Sequence, residues 1–219
     1  IFSNTRSFFE KKKNEPKFKK AIAARVILKS KSELNISDEN ISLMLGSKSH
    51  IVLYPINKKK ELNLVCIMRC KKFDPGNTKQ LITDLVLKQN PKLKNIFDNE
   101  IKSWPLYFTP KILSSSNKKV FYIGDAFNGF LPTLAQGAGQ SIESAYEIFN
   151  LLKENKLDTD TYFEIRSKRA KIVRKRSNLN FFIFHFSNSL MQNIRNMILR
   201  FLVKRKKFIK SYLGKVYKN

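Results

Sequence analysis

The chain has 219 residues, of which 42% are apolar and 12% aromatic, and its formal net charge is +26. This composition excludes an intrinsically disordered chain and favours a globular protein with one large or two small domains. No stretch reaches the roughly twenty consecutive apolar residues that span a bilayer. The N-terminus, which begins with Ile1, shows no signal-peptide pattern.

The strong positive charge leaves two explanations open. Lysines are spread along the whole chain beside abundant Asn, Ile and Phe, which indicates a compositional bias. A basic surface for nucleic acid or for an anionic membrane is the alternative. Because no nucleic-acid docking motif accompanies the charge, we expect no nucleic-acid partner.

The two cysteines, Cys66 and Cys70, are too few for a disulfide framework and lack the further ligands that a metal site requires. We therefore expect reduced thiols, a cytoplasmic location and no metal site.

The first half of the chain predicts a sheet. Short apolar runs bounded by turn residues are typical of strands. They cover residues 18–29, 49–56, 61–70 and 103–108. Residues 73–77 form a predicted turn. A helix follows, with Thr78 as its N-cap, and Pro91 closes it.

The second half predicts helices after one short buried strand over residues 117–125. A helix starts near residue 139, since its apolar side chains recur at helical spacing. Residues 158–177 predict a basic helix capped by Asp158, Thr159 or Asp160. An apolar run follows at 180–186, and a basic amphipathic helix covers 191–210.

Glycines are concentrated in one place. Four of the seven fall within sixteen positions, namely Gly124, Gly129, Gly137 and Gly139. Glycine permits positive φ and close backbone approach to a ligand, and a helix that begins at such a loop offers free N–H groups and a positive dipole end. Asp125, at the end of the predicted strand, could accept hydrogen bonds from ligand hydroxyls. Spacing alone leaves two interpretations open: a polyhydroxylated cofactor site, or an ordinary strand–loop–helix crossover.

The stretch "YIGDAFNGFLPTLAQGAGQSIESA", residues 122–145, closely resembles the flavin-binding motif of the single-component FAD-dependent aromatic hydroxylases, which are flavoprotein monooxygenases. The usual form of that motif is GDAAHxxxPxxxQGxxxxIEDA. The matching residues are Gly124, Asp125, Ala126, Pro132, Gln136, Gly137, Ile142, Glu143 and Ala145.

The resemblance extends over nearly the whole chain, and its wording is nearest the salicylate-hydroxylase-like branch. Residues 45–67 and 104–110 resemble two further segments of that branch. Ser3 and Arg6 match the end of the family's DGxxSxxR motif.

This resemblance implies an α/β fold, which would be α+β within this chain. It comprises a substrate domain with a mainly antiparallel sheet, the C-terminal part of a Rossmann-like FAD-binding domain and a helical tail. The implied boundaries are 1–16 for the end of the first FAD-domain segment, 17–110 for the substrate domain, 111–155 for the last FAD-domain segment and 156–219 for the basic helical tail.

The resemblance also implies an activity: FAD- and NAD(P)H-dependent hydroxylation of a small phenolic or benzoate-like substrate by a flavin C4a-hydroperoxide formed with molecular oxygen. Asp125 would bind the ribityl chain, close to Gly124. The loop from Pro132 through Gln136 would pass the isoalloxazine ring. Backbone N–H groups of Gly137, Ala138 and Gly139 would face its pyrimidine end.

Two residues are candidates for the substrate pocket by the same resemblance, His50 and Tyr54, which strand alternation places on one face. We interpret His185, in the apolar run 180–186, as a packing residue. No catalytic side chain can be named.

The chain departs from the family pattern at several points. Phe127 and Asn128 replace the usual Ala-His, and Phe108 and Thr109 replace an acidic-basic pair. The chain contains no GxGxxG, and no Asp-Gly pair precedes Ile1. We therefore expect a C-terminal portion that is inactive alone.

Two other functions stay open: a related flavoprotein, such as a quinone-pathway hydroxylase or a reductase, and a basic nucleic-acid or membrane-surface module. The basic tail could contact a membrane peripherally or pack on the body of the protein.

Overall fold

The structure, a computed structural model, describes residues 1–11, 14–28, 40–58 and 60–217. The chain divides into two compact units. Unit 1 comprises Ile1–Lys19, Tyr107–Phe181 and Phe201–Asn219, and unit 2 comprises Lys20–Leu106 and Phe182–Arg200. In the part of the chain that is described, no helix is both long enough and apolar enough to cross a membrane.

A five-stranded sheet dominates the first half of the described chain, with the order β2-β3-β4-β1-β5. The pairs β1–β4, β2–β3 and β3–β4 are antiparallel, with the register Ala21↔Arg69 for β1–β4 and His50↔Ile67 for β3–β4. The strands are β1 Lys17–Leu28, β2 Ser42–Leu45, β3 Ser49–Ile56, β4 Glu61–Arg69 and β5 Lys102–Phe108. The four predicted strands and the antiparallel sheet are confirmed. The end of the first predicted strand, Lys29, lies outside the described residues.

The two faces of the sheet in unit 2 differ in chemistry. Side chains alternate between faces along a strand, and one face carries the core, with Leu53, Leu64 and Cys66 fully buried. Short helical segments cover this face through Ile82 and Ile96. The other face carries polar residues among the apolar ones.

The helical segments over residues 75–97 correct one prediction. A 3-10 turn, Pro75–Asn77, comes first, and the Asp74 carboxylate caps it by accepting the N–H of Gly76 at 2.9 Å. Thr78 therefore lies inside the helical run, where its hydroxyl contacts Ser103, and it is not the N-cap. Proline suits a first helical position because it has no N–H to leave unpaired. The run continues as α2 Thr78–Ile82, a wide π-helical turn Thr83–Leu87, a 3-10 turn Pro91–Leu93 and α3 Lys94–Phe97.

The remaining described elements are helical. They are α1 Asn4–Phe9, α4 Gly124–Phe127, a 3-10 turn Pro132–Leu134, α5 Gly137–Lys153, α6 Thr159–Phe184, α7 Ser189–Val203 and α8 Lys206–Tyr217. The predicted helix near residue 139 is confirmed and begins two residues earlier.

The predicted strand over 117–125 is wrong. The backbone of this segment makes other hydrogen bonds. The N–H of Val120 donates to the carbonyl of Asn117, and the carbonyl of Tyr122 accepts a hydrogen bond from the hydroxyl of Tyr162. Tyr122 is nevertheless buried. The apolar pattern therefore predicted burial correctly. A strand additionally needs a hydrogen-bonded neighbour, and the described chain supplies none here.

A second correction concerns residues 158–186. The predicted basic helix and the apolar run after it are one helix, α6, up to Phe184. Of the three candidate caps, Asp158 is the one that accepts, from the N–H groups of Asp160 and Thr161. No glycine or proline interrupts the sequence over this range, so the helix has no reason to stop earlier.

Candidate cofactor site

The turn at Gly124 is held by Arg6, a residue about 120 positions away in the chain. The buried Arg6 guanidinium donates to the carbonyls of Ala126 at 2.9 Å and Asp125 at 3.4 Å. Ser3 caps α1 by accepting the N–H of Arg6 at 3.1 Å. Burial lowers the pKa of Arg6, although nearby Tyr122 and Asp125 oppose the shift. The structure thus brings together two segments that the sequence matched separately to flavin-binding motifs.

The side chain of Asp125 points into solvent. It is 54% exposed, and its carboxylate lies 3.7 Å from the amino nitrogen of Ile1. Its backbone is fixed by Arg6 and by the short helix α4, so the carboxylate is accessible on a rigid turn. An accessible carboxylate can accept hydrogen bonds from the hydroxyls of a ligand.

Gly124 brings this turn against the start of α5. It has a φ of +54°, which favours glycine, and a Cβ built on it would lie 2.6 Å from the hydroxyl oxygen of Ser141. Ser141 in turn donates to the carbonyl of Gly137 at 3.0 Å. The Gly-Asp turn and the first turn of α5 are therefore in direct contact.

The loop from Pro132 delivers the chain to α5 with its first N–H groups open. Pro132 begins a 3-10 turn, Ala135 turns the chain with a left-handed φ of 52°, and the buried Gln136 precedes the helix without a side-chain cap. Apart from its two chain neighbours and the backbone of its own helix, no described residue has an atom within 4 Å of a Cβ built on Gly137. The N-terminus of a 17-residue helix therefore presents unpaired N–H groups and a positive dipole end at an accessible surface.

Arg166 of α6 locks the first half of α5. Its guanidinium donates to the carboxylate of Glu143 at 3.0 Å, to the amide oxygen of Gln140 at 2.9 Å and to the hydroxyl of Ser144 at 3.3 Å. Arg169 also donates to Glu143, at 3.2 Å. Burial alone would raise the pKa of Glu143, but hydrogen bonds from both arginines hold it below its usual value.

The motif residue Glu143 thus positions α5 through its contacts with α6. It leaves the open N-terminus of α5 available to a ligand. Sequence reasoning missed Arg166. Nothing in the local sequence distinguishes Arg166 from the other basic residues of α6.

Two of the departures from the family pattern lie together. Thr109 donates to the amide oxygen of Asn128 at 3.4 Å and accepts the N–H of Gly129 at 2.9 Å. Arg174 of α6 also donates to the oxygen of Asn128 and to the carbonyl of Pro110. Asn128 is buried, and its amide nitrogen has no hydrogen-bond partner among the described residues. Two of the four substituted positions, Thr109 and Asn128, thus form one polar cluster with Arg174 that anchors the loop after α4, whereas Phe127 lies in a hydrophobic cluster.

The predicted substrate-pocket residues lie on the polar face of the sheet in unit 2. His50 and Tyr54 share this face, as alternation predicts, and Tyr54 is opposite Asn63 of β4. Asn63 is fully buried, accepts a hydrogen bond from Arg25, and has an amide nitrogen without a partner in the described chain. Sequence reasoning missed Arg25 and Asn63, although a polar residue within the apolar run "ELNLVCIM" was a signal.

His50 is buried and paired with His185. Its Nδ1 lies 3.1 Å from the Nε2 of His185, and the ring of Phe184 packs edge-on against it. Burial, reinforced by His185, lowers the pKa of His50 to about 3. His185 therefore makes a specific polar contact in addition to packing. Contact of His50 or Tyr54 with a substrate stays a prediction.

The residues around Gly124 and Gly137 fit a flavin nucleotide in two respects. The exposed carboxylate of Asp125 suits the hydroxyls of a sugar-like chain. The open N-terminus of α5 suits an electron-rich ring edge. The described residues contain no cluster of three or more His, Cys, Asp or Glu side chains that could hold a metal ion.

Solved structures show what fold this is. Klebsiella pneumoniae HpxO complexed with FAD and uric acid has a TM-score of 0.74 over 96% of this chain and 56% of its own, at 12% identity. A salicylate hydroxylase substrate complex has a TM-score of 0.67 over 94% of this chain and 58% of its own, at 16% identity. The chain therefore has the fold of flavin-dependent hydroxylases, and the predicted α/β class is confirmed.

Curated proteins with similar sequences include monooxygenases and hydroxylases. The 3-amino-4-hydroxybenzoate 2-monooxygenase PtmB3 of Streptomyces platensis is 24% identical over 69% of this chain and 41% of its own length. The hispidin-3-hydroxylase of Neonothopanus nambi is 29% identical over 40% of this chain and 23% of its own. No family model matches. The similarity to FAD-dependent monooxygenases that the motifs predicted is confirmed, and the chain spans less than half the length of these relatives.

Proposed function

We propose that this chain is part of an FAD-dependent monooxygenase that hydroxylates a small aromatic compound with NAD(P)H as reductant and molecular oxygen as co-substrate. The observation that carries the proposal is the juxtaposition at Gly124. There the exposed carboxylate of Asp125 and the open N-terminus of α5 lie on two turns in direct contact. The sequence similarity to curated FAD-dependent monooxygenases supports the same function.

Each residue of the site has a role in binding. Asp125 would hold the ribityl hydroxyls beside Gly124, and Pro132 and Gln136 would shape the loop along the ring. The N–H groups of Gly137, Ala138 and Gly139 would stabilise negative charge at the ring edge through preorganised dipoles. When bound, the flavin would accept a hydride from NAD(P)H and activate oxygen for transfer to the substrate.

The polar face of the sheet is the proposed substrate surface. His50, Tyr54, Asn63 and Arg25 bring hydrogen-bonding groups to a face whose remaining side chains are largely apolar. An apolar wall with a few fixed polar groups suits a small ring that carries hydroxyl or carboxyl substituents. The substrates in the names of the relatives and neighbours, 3-amino-4-hydroxybenzoate, salicylate and uric acid, are of this kind.

The domain organisation belongs to the same proposal. Residues 1–16 would end the first FAD-domain segment, 17–110 would form the substrate domain, 111–155 the last FAD-domain segment and 156–219 the tail. Both Cys66 and Cys70 are free thiols, which suits a reducing cytoplasmic compartment.

The test is the substitution Asp125→Asn in the complete protein. It keeps the size of the side chain, removes its charge and replaces one of the two acceptor oxygens by an NH2 donor, so the charge-assisted hydrogen bonds from ligand hydroxyls are lost. Flavin retention should weaken by about 1.5–3 kcal/mol, the range for hydrogen bonds to charged groups. The measurement is the ratio of flavin to protein absorbance after gel filtration.

A matched control is Asp160→Asn, which removes a carboxylate that is also exposed, 74% against 54% for Asp125, and that pairs only with Lys118 in the described structure. Flavin content should be unaffected in this control. Equal flavin content in both variants and the wild type would contradict the role of Asp125.

A further inference from the structure

Helix α7 turns an apolar face outward. Within unit 2, five of its side chains follow the spacing that places them on one side of a helix. Each of them is between 39% and 66% exposed. They are Leu190, Met191, Ile194, Met197 and Ile198, and we call them the α7 face. A helix at a protein surface normally buries such a stripe against the core.

The orientation of α7 is set by a charged residue on its other side. Arg195 is 3% exposed, and its guanidinium lies within 3.3–3.5 Å of the carbonyls of Phe184, Ile183 and Gly46. Two of these carbonyls belong to the last turn of α6, where helix carbonyls lack partners of their own. Because Arg195 serves as their donor, the α7 face is directed away from the core of unit 2.

The charge along this part of the sequence has one sign. From residue 189 to residue 217 there is no Asp or Glu, and seven Lys or Arg residues accompany the buried Arg195; Arg200 lies on α7, and Lys204 and Arg205 follow its last residue directly. Apolar side chains on one side of a helix, with basic residues at its borders and beyond, are the pattern of helices that lie in the interface of an anionic membrane.

We propose that the α7 face docks on a membrane surface rich in anionic lipid headgroups. The apolar side chains enter the headgroup–acyl boundary with the helix axis parallel to the surface, and Arg200, Lys204 and Arg205, at the end of α7 and directly after it, lie among the headgroups. A second copy of the chain is a poor occupant, because two surfaces that each belong to a chain of net charge +26 repel one another.

The experiment is vesicle flotation of the complete protein with two lipid compositions: phosphatidylcholine alone, and phosphatidylcholine mixed with phosphatidylglycerol. The wild type should float with the anionic vesicles, remain behind with the neutral ones, and be released as the salt concentration rises. The substitution Ile198→Asp should lower the fraction bound to anionic vesicles roughly tenfold, since it places a charge where an apolar side chain enters the membrane.

Asn196→Asp is the matched control, because it adds the same charge on the same helix away from the α7 face. Its carboxylate oxygen also retains the acceptor that the Asn196 amide offers to Arg195. Circular dichroism checks that both variants keep their helix content.

Flotation of Asn196→Asp at close to the wild-type level would support insertion of the face. Equal losses in the two variants, no flotation of the wild type, or a doubled mass in solution that Ile198→Asp abolishes would overturn the proposal.

Discussion

The sheet of unit 2 and the motif loop of unit 1 are stabilised in different ways. In the sheet, Leu53, Leu64 and Cys66 are fully buried in a register that many backbone hydrogen bonds repeat. The loop from Gly124 to Gly137 also has buried side chains, such as Phe127 and Leu131, but its polar backbone and side-chain groups depend on individual donors from Arg6 and Arg174. Arg166 holds the start of α5 in the same way. Loss of one buried side chain lowers the stability of the sheet but leaves its register in place, because many backbone hydrogen bonds repeat it. Loss of one polar donor removes the contact that positions the loop. The candidate site therefore depends on residues that never touch a ligand.

The largest expected effect is in the sheet. Leu64→Ala leaves a cavity at a position with no solvent exposure and should lower the free energy of unfolding by about 3–4 kcal/mol. Denaturant unfolding measures the loss. The flavin content of the folded fraction of the complete protein should be retained, because the strand register does not depend on one side chain. A proportionate loss of flavin would contradict the separation between core and site.

The second expected effect is a pH dependence from His50. Its pKa is about 3 in the folded chain and about 6.5 when unfolded, so the unfolded state binds the proton first as the pH falls. Stability should be full above about pH 6.5 and decline toward pH 3, by on the order of 3 kcal/mol at pH 4.

Within the described structure, His185 is the one titratable group that acts on the pKa of His50. His50→Phe should flatten the pH profile of the unfolding free energy in this window. A profile of unchanged steepness would show that other groups cause the decline.

The third prediction breaks a clamp. Arg166→Met removes the donor that joins Gln140, Glu143 and Ser144, and we expect a loss of about 2 kcal/mol in unfolding free energy. Flavin retention of the complete protein should fall as well, since the start of α5 loses its position. Lys168→Met is the control: its pair with Glu164 is exposed on both sides, and such pairs contribute little. Equal stability of the two variants would contradict the clamp.

The smallest expected effect compares two glycines. Gly124→Ala forces a side chain onto a left-handed residue beside Ser141 and should cost about 1 kcal/mol. Gly137→Ala meets open space and should leave the unfolding free energy unchanged or slightly increased. Thermal unfolding of both variants separates them. If the two variants are equally stable, the contact between the Gly-Asp turn and α5 does not restrict the residue at position 124.

Local patterns predicted much of the fold. Residues 49–56 and 61–70 alternate or run apolar between turn residues, and they are strands because side-chain periodicity and burial are local properties. Residues 117–125 have the same local pattern but form no strand, because pairing needs a neighbour that the pattern cannot supply. Thr78 was not the cap because Asp74 and Pro75 begin the helical run earlier.

The motif residues Gly124, Asp125 and Gly137 could be recognised from the sequence by itself. Their types and spacing indicate a backbone with positive φ or a close approach to a neighbour. Tertiary structure alone decided which distant residues hold them. Arg6, Arg166 and Arg174 reach the motif across 23 to 120 positions of chain, and nothing local distinguishes them from the other basic residues. It also decided that α7 faces outward, because the buried charge of Arg195 fixes the helix orientation against its apolar stripe. Local patterns give the type of element and its faces, whereas long-range polar contacts decide which face meets the core.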